Sequence, residues 1–197
     1  MKNKRIVTWV IIILVLLIFG GSCKNMYNKM VTYREQVNRE WANVENQYQR
    51  RADLIPNLVA TVKGYAEHEQ ETFTRVVEAR AKATSVTIDP NNITQESIQQ
   101  YSAAQGELSS ALSRLLAVVE NYPDLKANQN FLELQAQLEG TENRIAVERK
   151  KFNDTTTEYN QYIKKFPPVL FAGILGFKEK PYFDAEPQAS QAPKVEF

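Results

Sequence analysis

The chain has 197 residues, of which 43% are hydrophobic and 24% are charged, so it can bury a core and is not globally disordered. Its 24 lysines and arginines nearly balance 23 aspartates and glutamates, which excludes the clustered basic face of a nucleic-acid-binding protein. A single cysteine excludes an intramolecular disulfide framework and a cysteine-rich metal site.

The N-terminal residues form an apolar run preceded by positive charge. The run covers residues 6–19, IVTWVIIILVLLIF, and follows Lys2, Lys4 and Arg5. A helix of this composition partitions into a membrane because it satisfies its own backbone hydrogen bonds. The run is shorter than the roughly 17–25 residues of a typical span, and it also fits the apolar region of a secretory signal. We therefore expect residues 1–23 to be a membrane anchor or a signal segment.

Cys23 leaves a lipoprotein as the alternative to an uncleaved anchor. It follows Gly21 and Ser22, as the lipidated cysteine of a bacterial lipoprotein follows a small residue, but Gly20 stands where a branched apolar residue is usual. Cations precede the run, and only Lys24 follows it closely. This distribution predicts a cytoplasmic N-terminus and a single-pass protein whose bundle lies on the non-cytoplasmic side.

Apolar residues that recur every three or four positions, or every seven, predict four long helices. The helices cover about residues 24–51, 54–83, 94–120 and 128–165. The sequence therefore predicts an all-α fold, with an N-terminal transmembrane helix followed by an antiparallel four-helix bundle of long helices over residues 24–166. The stripes include Tyr27, Met30, Val37, Trp41, Val44 and Tyr48; Ile55, Leu58, Val62, Phe73, Val76 and Ala83; Ile98, Tyr101, Leu108, Leu115 and Val119; and Phe131, Leu138, Ile145, Phe152, Tyr159, Tyr162 and Phe166.

The first corner of the bundle is predicted within residues 50–69, RRADLIPNLVATVKGYAEHE. Pro56 would lie in the first turn of the second helix, where proline is tolerated, and Asp53 would cap that helix. Arg50 and Arg51 would end the first helix, a position that favours cations. This corner would lie at the membrane-distal end, about 40 Å from Lys24. The paired arginines are therefore the first candidate contact surface for a protein partner.

The C-terminal residues are predicted in two parts. Residues 167–183 are apolar and aromatic, and we expect them to pack on the end of the bundle because an exposed apolar patch lowers solubility. The alternative is an exposed patch that contacts a partner or the membrane interface. Residues 184–197 are predicted to be a flexible tail.

No residue pattern in the chain predicts catalysis. The sequence has no Gly-rich phosphate loop and no nucleophile elbow, and its only histidine, His68, lacks the second histidine of a zinc-protease helix. We therefore expect a protein that is not an enzyme, with no catalytic, cofactor-binding or metal-binding residues. Polar residues near 53–57 and 121–143 leave a small-ligand or metal-binding sensor bundle as the alternative.

Four long stretches of the chain carry distinctive motifs: WANVENQYQRRADLIPNLVATVKGYAEHE (41–69), VVEARAKA (76–83), ENYPDLKANQNFLELQAQLEGTENRIAVERKKFN (120–153) and YNQYIKKFPPVLFAGILGFKEKPYF (159–183). These stretches resemble the LemA family of bacterial membrane-associated proteins. The resemblance implies a four-helix antiparallel bundle behind one membrane helix. The family has no established catalytic residue, cofactor or reaction, so the resemblance implies no site. Cys23 departs from the plain membrane-helix exit that is common in the family.

Together these observations predict a membrane-anchored scaffold or adaptor of the bacterial cell envelope. It would present a long bundle face to other proteins or to copies of itself, with its N-terminal helix inserted in the cell membrane. We expect no nucleic-acid partner and no cofactor. The alternative location is that of a lipoprotein anchored through Cys23.

Overall fold

The structure, a computed structural model, describes residues 2–66 and 68–184, and only the backbone of residues 2–6, 8 and 15. The described residues form helices and no strand, which confirms the predicted all-α fold of one apolar N-terminal helix and a bundle of long helices. The helices are α1 (Lys2–Lys63), α2 (Gln70–Ser85), α3 (Gln95–Val119), α4 (Pro123–Lys126), α5 (Gln129–Lys164) and α6 (Val169–Ala172), with a 3₁₀ turn at Pro90–Asn92.

Helix α1 joins the apolar N-terminus to the bundle without a break. It has 62 residues, so at about 1.5 Å per residue it is roughly 90 Å long. Among the described residues it is the one helix long and apolar enough to cross a membrane, with a mean hydropathy of 2.0 in its most apolar window. Its large apolar side chains from Val7 to Phe19 that the structure describes are 41–69% exposed, so the rest of the described chain leaves most of their surface uncovered.

The predicted corner near Pro56 is wrong, because α1 continues through this proline. A proline inside a helix has no N–H for the carbonyl four residues earlier, here that of Ala52. Arg80 of α2 satisfies that oxygen, because its Nε donates to it at 2.8 Å. The chain turns between α1 and α2 instead, where Gly64, predicted inside a helix, directly follows α1.

The position of the turn changes where the paired arginines lie. Arg50 and Arg51 lie inside α1, about 18 Å short of its end at Lys63. Asp53, which the sequence predicts as a cap, accepts a hydrogen bond of 2.8 Å from Gln49 within the same helix. The two arginines therefore lie about two-thirds of the way from Lys24 to Lys63 and not at the membrane-distal end of the bundle.

The four long helices alternate in direction. Helix α5 runs antiparallel to α1, because Tyr33 contacts Tyr162 with ring centroids 5.1 Å apart while Arg51, farther along α1, pairs with Glu142, earlier in α5. Helix α2 packs along α3, where Lys82 pairs with Glu107 at 2.7 Å. The closest helix pairs are thus α1 with α5 and α2 with α3, and clefts remain between the two pairs.

Two apolar clusters form the core. The cluster nearer the apolar N-terminal part of α1 is built around Trp41. Its ring centroid lies 5.3 Å from that of Tyr101, 5.8 Å from that of Phe152 and 5.7 Å from that of Phe183. The other cluster lies toward the end of α1 at Lys63 and contains Leu58, Val62, Leu115 and Phe131. Burial of each large apolar side chain stabilises the fold by about 1.5–3 kcal/mol. Most of the predicted stripe residues lie in these clusters; Tyr27 and Phe166 are exposed.

The chain after α6 folds back along the bundle. Phe177 and Phe183 are 3% and 4% exposed. Asn160 exchanges two hydrogen bonds with the backbone of Lys180, at 2.8 and 2.9 Å. Asn153 pairs in the same way with the backbone of Phe183, at 3.0 and 2.9 Å. The predicted flexible tail lies outside the described residues from residue 185 onward, and the domain boundaries stay a prediction.

Candidate functional site

Arg51 is the polar centre of the bundle. Its side chain is 2% exposed, and its Nη1 donates to Ser109 Oγ and to Glu142 Oε2, both at 2.8 Å. Its Nη2 donates to the side-chain and backbone oxygens of Gln105, at 2.7 and 3.2 Å. The guanidinium also lies 5.1 Å from the ring centroid of Tyr48. Hydrogen bonds to a charged group stabilise by about 1.5–3 kcal/mol each, so this arginine holds α1, α3 and α5 in register.

Gln105 extends this network to the remaining long helix. Its Nε2 donates to the carbonyl oxygen of Ala83, near the end of α2, at 3.2 Å. One turn earlier in α3, burial raises the pKa of Tyr101 above its ordinary value, and the neighbouring Tyr48 raises it further. All four long helices therefore meet at the level of Arg51.

The sequence contains a signal that distinguishes the two arginines. Arg51 lies three residues after Tyr48 and four before Ile55, which places it on the apolar stripe of α1, whereas Arg50 is one position off that stripe. A charged residue that is buried at a stripe position needs a partner, because charged side chains are almost never fully buried unless they are paired. Only Arg50 presents its side chain to solvent, and the partner contact predicted for the pair stays a prediction.

A groove on the surface of the bundle contains Arg50. We call it the Arg50–Arg144 groove; it lies between α1 and α5, has a volume of about 260 Å³ and is lined by Arg50, Ala136, Gln137, Gly140, Thr141 and Arg144. Within the described residues, Arg50 and Arg144 have no acidic partner within 4.0 Å, and both are exposed. A Cβ added at Gly140 would meet no heavy atom within 4 Å, so the floor is open. The groove combines two available cations with a shallow, small-residue surface.

A wider cleft lies between α3 and α5, and we call it the α3–α5 cleft. It has a volume of about 760 Å³, and Arg51 with its partner Glu142 forms part of its lining. The Nε of Arg51 is buried and has no hydrogen-bond partner among the described residues. The remaining lining is mostly polar, with Ser102, Ser110, Ser113, Arg114 and Arg149. Ligand pockets are usually enclosed and predominantly apolar, and this cleft is neither.

The other polar residues singled out in the sequence do not converge on one pocket. Asn57, Asn121, Asn130 and Asn143 are exposed, while Asn128 caps α5 by accepting a hydrogen bond from Phe131 N at 3.1 Å. Of the stretch 121–143, Glu142 reaches the lining of the α3–α5 cleft.

Neither the histidine nor the cysteine belongs to a cluster of metal ligands. His68 is exposed in the turn between α1 and α2. The described residues contain no group of three or more His, Cys, Asp and Glu side chains that could hold a metal ion. Cys23 is a half-buried free thiol within α1, and its lipidation stays a prediction.

Comparisons with known proteins place the chain among bacterial relatives. Residues 40–197 match the family model described as the LemA family. The magnetosome protein MamQ of Magnetospirillum gryphiswaldense is 30% identical over 180 residues, which cover 82% of this chain and 65% of that protein. MamQ 2 of Paramagnetospirillum magneticum is 29% identical over 195 residues, which cover 90% of this chain and 72% of that protein. Protein LemA of Metamycoplasma hominis is 20% identical over 139 residues, which cover 71% of this chain and 60% of that protein.

Proposed function

We propose a function from the premise that this chain belongs to the LemA family. The chain is a membrane-anchored, non-enzymatic scaffold of the bacterial cell membrane. Its bundle binds an acidic helical segment of a partner protein in the Arg50–Arg144 groove. The observation that carries this proposal is the presence of two exposed arginines, without acidic partners among the described residues, beside an open floor at Gly140.

The continuity of α1 supports the anchoring part of the proposal. The exposed apolar side chains from Val7 to Phe19 require an apolar environment, and the bilayer supplies one. Because the same helix continues to Lys63, the bundle extends from near the membrane to about 60 Å beyond Lys24 along a single rod. The charges before the apolar run favour a cytoplasmic N-terminus, which puts the bundle on the non-cytoplasmic side.

The chemistry of the groove favours an acidic helix as the partner segment. Arginine binds carboxylates through two parallel N–H donors, so Arg50 and Arg144 suit aspartate or glutamate side chains on one helix face. The methyl group of Ala136 and the absence of a side chain at Gly140 allow a second helix backbone to approach closely. A second copy of this chain is one protein that could supply such a face, and identification of the bound protein tests this.

Charge reversal in the groove tests the scaffold function. The full chain carrying Arg50→Glu or Arg144→Glu is expressed in its native membrane and chemically cross-linked, and bound proteins are quantified by mass spectrometry. We expect loss of the partner that the wild-type chain captures. Arg114→Glu, an exposed arginine in the α3–α5 cleft, is the matched control and should leave capture unchanged. Equal capture by wild type and both groove variants would contradict the proposal.

A second candidate function, a sensor of a small polar ligand, is favoured by the α3–α5 cleft. The buried Arg51 Nε without a described partner, together with Arg114 and Arg149 in the lining, suits an anionic ligand. Native mass spectrometry of the full chain released from membranes tests this function. A bound small molecule that is lost in Arg114→Glu supports the sensor, and a ligand-free mass counts against it.

A further inference from the structure

Residues 166–176 form an apolar loop beside the N-terminal helix. The sequence from Phe166 to Phe177, FPPVLFAGILGF, has no charged residue. Phe177, the residue after the loop, is buried. Within the loop, Phe166 is 80% exposed and Ile174 is 85% exposed. Val169, Leu170 and Leu175 are 46–56% exposed. The bundle therefore buries Pro168, Ala172 and Phe177 of this segment and leaves most of its other large apolar side chains exposed.

Contacts with α1 fix the height of the loop along the rod. The ring of Phe171 lies 6.4 Å from that of Phe19, which belongs to the apolar run. The ring of Phe177 lies 5.7 Å from that of Tyr27, eight residues farther along α1. At about 1.5 Å per residue, the loop reaches roughly 12 Å farther toward the N-terminus at Phe171 than at Phe177.

The backbone turn returns the chain to the bundle. Gly176 has a φ of +79°, a conformation that residues with side chains rarely adopt. The turn is closed by a hydrogen bond of 2.8 Å from Phe177 N to the carbonyl oxygen of Ala172. The chain thus lies beside Phe19 at Phe171, turns at Gly176 and returns to the level of Tyr27 at Phe177, and Ile174, just before this turn, is exposed.

We propose that this loop inserts into the shallow acyl layer of the same membrane leaflet from which α1 emerges. The proposal rests on the anchoring part of the proposed function. Phe19, the partner of Phe171, lies five residues before Lys24, the first cation after the apolar run, which places Phe171 about 7–8 Å below the level of Lys24. Interfacial apolar elements insert about 5–10 Å into the boundary between headgroups and acyl chains.

Cations next to the loop fit lipid headgroups at that level. Lys165 and Lys178 flank the loop and are exposed, as is Lys24 on α1. Near a bilayer these lysines lie where anionic headgroups attract them, while the uncharged loop lies on the acyl side. The loop therefore provides a second membrane contact that fixes the tilt and rotation of the bundle, which a single helix cannot fix.

Depth-dependent fluorescence quenching tests this insertion. In the full chain with Cys23→Ser, single cysteines are introduced as Leu170→Cys or Ile174→Cys and labelled with an environment-sensitive fluorophore. Ile13→Cys reports the anchor, and Val147→Cys, on an exposed apolar residue of α5, is the matched control. The proteins are reconstituted into vesicles of phosphatidylcholine and phosphatidylglycerol that contain a spin-labelled lipid with the quencher at a shallow or a deep acyl position.

We expect labels at Leu170 and Ile174 to be quenched most by the shallow spin label, the label at Ile13 most by the deep one, and the label at Val147 by neither. Quenching at Ile13 without quenching at either loop position overturns the loop insertion and leaves the anchor standing. No quenching at Ile13 overturns the anchor, and the loop proposal with it. A photoreactive label at Ile174 that joins to a protein in native membranes, and not to lipid, also overturns the loop insertion.

Discussion

Arg80 donates a hydrogen bond of 2.8 Å from its Nε to the carbonyl oxygen of Ala52, the oxygen that Pro56 leaves without a donor in its own helix. We expect Arg80→Ala to lower the free energy of unfolding by about 1–3 kcal/mol, because the acceptor loses its partner. In a Pro56→Ala background the backbone N–H of residue 56 is restored and can donate to Ala52 O in place of Arg80. The loss of unfolding free energy caused by Arg80→Ala should therefore be smaller in that background. Urea unfolding of the full chain in detergent measures this double-mutant cycle.

The matched control for this cycle is Arg75→Ala, one and a half turns earlier in α2. Arg75 pairs with the exposed Glu71, and such surface pairs contribute only about 0–1 kcal/mol. Equal costs of Arg80→Ala with proline and with alanine at position 56 would show that the bond to Ala52 does not compensate for the proline.

The hydrogen bond between Arg80 and Ala52 is an example of a feature that could not be predicted from the sequence, whereas local patterns could. The apolar stripes are local patterns, and they predicted the helices and most of the buried residues. The corner was misplaced because the effect of Pro56 depends on Arg80, a residue that only the folded chain brings close. The same limit applies to the candidate site: Arg50 was singled out from the sequence, but its neighbour Arg144 depends on the register of α1 against α5.

Substitution of Arg51 should destabilise the bundle, whereas the same substitution of its neighbour Arg50 should not. We expect Arg51→Met to lower the free energy of unfolding by about 2–3 kcal/mol, because Gln105 and Ser109 lose a buried charged partner. Arg50→Met, the matched change one residue earlier, should stay within about 0.5 kcal/mol because its side chain is exposed. Chemical denaturation of both variants measures the difference, and equal effects would contradict the assignment of Arg51 to the network.

Truncation of Phe183 should show that the C-terminal residues stabilise the bundle. Its ring stacks on Trp41 and is 4% exposed, so Phe183→Ala should cost about 3–5 kcal/mol. Phe166→Ala is the matched control, and it should cost less than about 0.5 kcal/mol in detergent because that ring is 80% exposed. Thermal unfolding of the two variants measures the difference in stability. An unchanged melting temperature for Phe183→Ala would exclude a packing role for Phe183.

Alkaline pH should destabilise the bundle through Tyr101. Burial raises the pKa of its phenol, so the folded state favours the neutral form. The unfolded phenol titrates near pH 10. The free energy of unfolding is therefore unaffected by this group below about pH 10 and falls by up to about 1.4 kcal/mol per pH unit above it, toward the folded pKa. Tyr101→Phe should lose stability less steeply above pH 10, and parallel pH profiles would contradict this.

The most direct test of the scaffold function is photo-cross-linking from the floor of the Arg50–Arg144 groove in native membranes. A photoreactive amino acid replaces Gly140, where a side chain meets open space; the same replacement at Gly106, equally open and next to the α3–α5 cleft, is the control. We predict a discrete protein adduct at Gly140 that disappears with Arg50→Glu, and none at Gly106. No adduct at Gly140, or one that persists after charge reversal, would contradict the proposed function.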